Sequence, residues 1–88
     1  MESSTRICQL RIESLDRKIV KMLNERAKQH IRLTTACKKN QISCVHPSVF
    51  LKNVAIENNG PLTLGDMMNI YEPIMKAMDD IEENMPLI

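Results

Sequence analysis

The chain has no tryptophan, one phenylalanine and one tyrosine, and only two glycines and four prolines among its 88 residues. Against that scarcity stand many Met, Ile and Leu residues, and the balance is that of an all-α protein. Charge of one sign is missing too: 12 basic and 11 acidic residues are interspersed and leave a net charge of +1. Such a balance speaks against a nucleic-acid or anionic-membrane partner. No apolar run approaches the ~20 residues of a membrane-spanning helix, and none near the start has signal-peptide length, so a cytoplasmic location is expected. Three cysteines, Cys8, Cys37 and Cys44, are odd in number and widely spaced. They do not make a disulfide framework and are read as free thiols of a reducing compartment. No internal repeat or low-complexity segment is visible.

What remains is helical periodicity. Glycine and proline are absent from Ser4 to Asn40, and apolar residues fall at Cys8, Ile12, Leu15, Ile19 and Met22, then Leu33 and Cys37. Steps of three and four predict one amphipathic helix near residues 5–40. A break over Asn40–His46 precedes Pro47, which suits the first position of a second helix near 47–58, ended by Asn58-Asn59-Gly60. Thr63 with Asp66 three residues on resembles a capping box, and Met67, Ile70, Ile74, Met78 and Ile81 stripe a third helix near 64–84. Pro73 lies inside it and deletes the bond to the Asn69 carbonyl.

The first helix poses a length problem. About 35 residues at ~1.5 Å each span about 50 Å, whereas a compact domain of this size has a radius of gyration near ~12 Å. The stripe runs most of that length, so the expectation is a single domain, residues 1–88, that buries it against a second copy in a homodimer. The alternative is a helical hairpin with its first helix bent.

One residue does not belong in the stripe. The rhythm continuing from Met22 lands on Arg26, and a buried guanidinium without a partner costs several kcal/mol. Either its head escapes along its stem to water or it meets an anion.

The surrounding string, Leu15-Asp16-Arg17-Lys18-Ile19-Val20-Lys21-Met22-Leu23-Asn24-Glu25-Arg26-Ala27, resembles the opening segment of the all-helical class of chorismate mutase. Val45-His46-Pro47 resembles the start of that family's second helix. Asn58-Asn59-Gly60-Pro61-Leu62 and Ile70-Tyr71-Glu72-Pro73-Ile74-Met75 resemble its third-helix segment. The resemblance covers about residues 8–83 without gaps. It implies a three-helix protomer, dimerised by intertwining of the long first helices. It also implies rearrangement of chorismate to prephenate without cofactor or metal, by cations that grip two carboxylates and a charged group at the ether oxygen.

Carried over by position, the resemblance puts an arginine donated from the partner's first helix on Arg26. The family's N-terminal arginine falls on Gln9, with Arg11 two residues along, and its ether-oxygen lysine falls on Cys37, with Lys38 next. The aspartate before proline becomes His46, and a following charged pair becomes Val49 and Phe50. On the third helix a small hydroxyl position becomes Met78, and the amide-or-acid position is Glu82, which the family allows. Three lost charged contacts at ~2–3 kcal/mol each would cancel a 10⁴- to 10⁶-fold acceleration.

The resemblance therefore implies a diverged member with weak or no chorismate mutase activity. Its expected ligand is a small cyclic acid with one carboxylate held by Arg26, with His46 or Glu82 handling a proton. The other expectation is a non-catalytic dimer with a binding or regulatory role. Zinc held by His30, Cys37, Cys44 and His46 is not expected, because the spacings fit no compact zinc pattern.

Overall fold

The computed structural model describes residues 2–43 and 48–84, with side-chain placement for all of these except Glu2, Ser48, Val49, Phe50 and Lys52. The chain forms three helices, α1 (Glu2–Lys39), α2 (Ser48–Ile56) and α3 (Leu64–Glu83), and the described residues contain no strand. Pro47, expected to open α2, lies outside the described residues.

The helix ends follow from local chemistry. α1 closes in a Schellman motif: Ile42 N donates to the Cys37 carbonyl at 3.0 Å and Gln41 N to the Lys38 carbonyl at 3.2 Å. Gln41 takes the left-handed conformation at φ 55°, where glycine is the usual occupant. Lys38 and Lys39 occupy the last turn, where cations meet the negative end of the helix dipole.

After α2, the Asn58 side chain accepts from Gly60 N at 3.2 Å and donates to the Leu62 carbonyl at 2.6 Å, folding the stop signal into a turn. The capping box at α3 is present in full: Asp66 N donates to Thr63 Oγ1 at 3.1 Å and Thr63 N to Asp66 Oδ2 at 3.0 Å. The Thr63 backbone N–H on the carboxylate, and after it the Thr63 hydroxyl, hold the Asp66 carboxyl below its ordinary value. α3 runs on through Pro73.

α3 packs against both α1 and α2. The core is small and sits at the C-terminal third of α1: Cys37, Leu51, Ala55 and Met78 are buried, together with His30 and Thr34. Cys37 is disulfide-bonded, which corrects the reading of three free thiols. Cys8 is free and exposed.

α1 is unbroken over 38 residues. Among the described residues nothing covers the stripe of its N-terminal half. Ile12, Leu15, Ile19 and Met22 are each more than half exposed, and Ile7, Leu10 and Val20 are exposed beside them. The chain measures 59 × 26 × 16 Å with a radius of gyration of 16.9 Å. Its accessible surface is 7578 Å², against about 5,300 Å² for a monomeric protein of this mass. The excess, about 2,300 Å², lies in the range that permanent interfaces bury. No described helix is long and apolar enough to cross a membrane.

Candidate functional site

The seam between α1 and α3 brings together part of the expected set. On α1 the residues that turn inward step by three and four: Leu23, Ala27, His30, Thr34 and Cys37. An open groove of about 320 Å³ runs between the helices, lined by Leu23 and Ala27 from α1 and by Pro73, Ile74, Ala77, Met78 and Ile81 from α3. Asn24 is the one polar residue of that lining, and its amide is spent on the Val20 carbonyl at 2.9 Å. The groove is thus an apolar cleft at the lower end of the size range of small-molecule sites.

Arg26 is half-buried beside this groove. Its Nη2 reaches Met75 Sδ at 3.6 Å, within its own chain. A thioether is a weak acceptor, and among the described residues no carboxylate pairs with the guanidinium. In the single chain the arginine lies against its own α3.

One turn further along α1, the side chain of His30 is 6% exposed and places Nε2 3.4 Å from Glu82 Oε2, on a side chain 42% exposed. That separation suits an ion pair if the imidazole is protonated. Nε2 is nevertheless sealed from water without a hydrogen bond, so the pair is close but not closed. His30, which the sequence offered only as a zinc ligand, stands four residues after Arg26 and seven before Cys37 on the same face.

The remaining expected residues are dispersed. Met78 is buried at 4% and lines the groove. Cys37 is buried and disulfide-bonded, so its sulfur is neither a cation nor open to a ligand. Lys38 is exposed in the last turn. Gln9 and Arg11 are exposed on α1 about 25 and 22 Å up the helix from Arg26. They cannot meet Arg26 in one chain. His46 lies outside the described residues, as do the side chains of Val49 and Phe50. No cluster of His, Cys, Asp or Glu able to hold a metal occurs among the described residues.

Chemically, the described residues of the seam offer one cation without a counter-ion among them, an apolar cleft beside it, and an imidazole facing a carboxylate. Comparison with known proteins finds no family model, no curated protein and no solved structure that matches the chain.

Proposed function

We propose that this chain is a diverged relative of the all-helical chorismate mutases, an obligate homodimer that binds or transforms a small cyclic carboxylic acid at the α1–α3 seam. Conversion of chorismate to prephenate is weak or absent in this reading. The observation that carries it is Arg26: a half-buried guanidinium with no carboxylate among the described residues and only a methionine sulfur in reach. A cation so placed is suited to an anion supplied from outside, and the apolar groove next to it suits a ring. One cation suits one carboxylate. Among the described residues a dianion such as chorismate finds no second grip on the seam, and Gln9 and Cys37 stand where the resemblance expects an arginine and a lysine.

The test is a thermal-shift screen with benzoate, cyclohexanecarboxylate and chorismate. The monocarboxylates are expected to raise the melting temperature, with about 2.7 kcal/mol of stabilisation at 100 times the dissociation constant. Arg26→Met, which keeps the apolar stem and removes the charge, is expected to abolish the effect. Stabilisation that persists in Arg26→Met, or that only chorismate produces, overturns the reading. Chorismate turnover near an ordinary enzyme's ~10 s⁻¹ would overturn it as well.

A second reading is a non-catalytic dimer, which is favoured by the unpartnered half of α1. The surface excess supports association and is silent on chemistry, so failure of the ligand screen leaves this reading in its place.

A further inference from the structure

The net charge of +1 is an average over two unlike parts. α1 carries ten of the 12 basic residues and four of the 11 acidic ones, a net charge of +6, and the remainder of the chain carries −5. Six of the seven remaining acidic residues stand on α3. The even balance that speaks against an anionic surface therefore does not describe the face that α1 presents.

Within α1 the cations are sorted again, by register. At about 100° per residue, Arg11, Lys18, Lys21, Lys28, Arg32 and Lys39 fall within an arc of about 100°, and all six are exposed. Their ridge runs for about 42 Å along an unbroken helix. The one acidic residue in the arc, Glu25, is bonded to Lys28 at 3.3 Å. Among the described residues no carboxylate pairs with the other five cations. The centre of the arc lies about 170° round the helix from the residues turned toward α3, and about 120° from the stripe of Ile12, Leu15 and Ile19. Covering that stripe with a second copy leaves the ridge open.

Two apolar residues share the arc. Ile7 is 47% and Leu10 51% exposed, at the N-terminal end of the ridge, and neither α3 nor a partner on the stripe would cover them.

The shape and composition of the ridge separate the anionic partners it could meet. A nucleic-acid duplex winds its phosphates away from a straight line, so a rigid ridge of this length meets only part of them, and phosphates offer nothing to Ile7 and Leu10. Single strands are held by stacking on aromatic side chains, of which α1 has none. A protein interface is built round a core depleted of charge, which a row of six cations is not. An anionic bilayer is flat, so it meets every long cationic side chain of a straight ridge together, and it admits apolar side chains at the boundary of headgroups and acyl chains.

We propose that the basic ridge of α1 docks the protein on an anionic lipid surface, with Ile7 and Leu10 entering the headgroup boundary. The helix lies on that surface, and no described helix is long and apolar enough to cross it. The separation of charge orients the chain, turning α1 toward the lipid and the acidic α3 away from it. Docking of this kind is independent of the small-acid site.

The experiment is co-sedimentation of the full chain with vesicles of phosphatidylcholine alone and of phosphatidylcholine with about 30% phosphatidylserine. The wild type is expected to bind the phosphatidylserine vesicles, to leave phosphatidylcholine vesicles in the supernatant, and to lose binding as salt is raised. Each cation near such a surface contributes about five-fold, so Lys18→Gln, Lys21→Gln and Arg32→Gln in one protein are expected to weaken binding by about 100-fold. Ile7→Ser with Leu10→Ser is expected to weaken it by about ten-fold or more. Lys76→Gln, which removes a cation of α3, is the control and is expected to bind as the wild type does. All of these side chains are exposed, so the variants are expected to keep the helical circular dichroism of the wild type. No binding to phosphatidylserine vesicles, equal binding to both vesicles, or a triple variant that binds as tightly as Lys76→Gln overturns the inference. A DNA duplex or polyglutamate that binds more tightly than the phosphatidylserine vesicles at the same salt also overturns it, in favour of that partner.

Discussion

Replacing Ile19 by aspartate tests whether α1 is made to be covered. Ile19 lies at the middle of the exposed stripe and is 55% exposed in the single chain. Full burial of an isoleucine side chain is worth about 1.5–3 kcal/mol, so covering the remaining half contributes about 1 kcal/mol per chain and about 2 kcal/mol in a two-fold dimer. A carboxylate in the same place adds the cost of burying a charge without a partner, at least a few kcal/mol more. A total above about 4 kcal/mol weakens dimerisation by roughly 10³-fold or more. Sedimentation equilibrium at micromolar concentration is expected to give a dimer for the wild type and a dissociated chain for Ile19→Asp. Among the described residues the buried set is small and contains no large side chain that is fully enclosed, so dissociation is expected to bring loss of helical circular dichroism with it. Lys21→Asp, on the opposite side of α1 by its helical register, is the control and is expected to remain dimeric. A wild-type protein that sediments as a monomer, with a melting temperature unchanged over a hundred-fold dilution, would refute the argument from surface area.

Other outcomes follow from local geometry. Gln41→Gly is expected to raise stability by about 0.5–1 kcal/mol in urea denaturation, because glycine adopts the left-handed position of the α1 C-terminus without strain. Thr63→Ala is expected to cost about 1 kcal/mol through loss of the α3 cap. Asp66→Asn should be less stable than wild type at neutral pH. Because hydrogen bonds from Thr63 hold the Asp66 carboxyl below its ordinary value, that deficit is present above the aspartate range near ~3.9 and shrinks as pH falls through it. Met78→Ala, at the most deeply buried apolar side chain among the described residues, is expected to cost about 2–5 kcal/mol by cavity formation.

Much of the fold was legible because helices are local. The capping box at Thr63 and Asp66, the stop at Asn58 and the break after Asn40 each depend on residues within one turn of one another, and each appears where the chain chemistry puts it. The length of α1 was legible for the same reason, since nothing between Ser4 and Asn40 interrupts a helix.

The site was less legible because it depends on which face of α1 meets α3. The apolar rhythm through Met22, Leu33 and Cys37 marks a face, but the structure turns Leu23, Ala27, His30 and Thr34 inward and leaves Met22 and Leu33 exposed. A stripe wide enough to serve two partners does not say which partner takes which edge. Only packing against α3 makes His30 a buried neighbour of Glu82, and only packing sets Arg26 against Met75. Those contacts join residues about fifty positions apart, and periodicity within one helix carries no information across that distance.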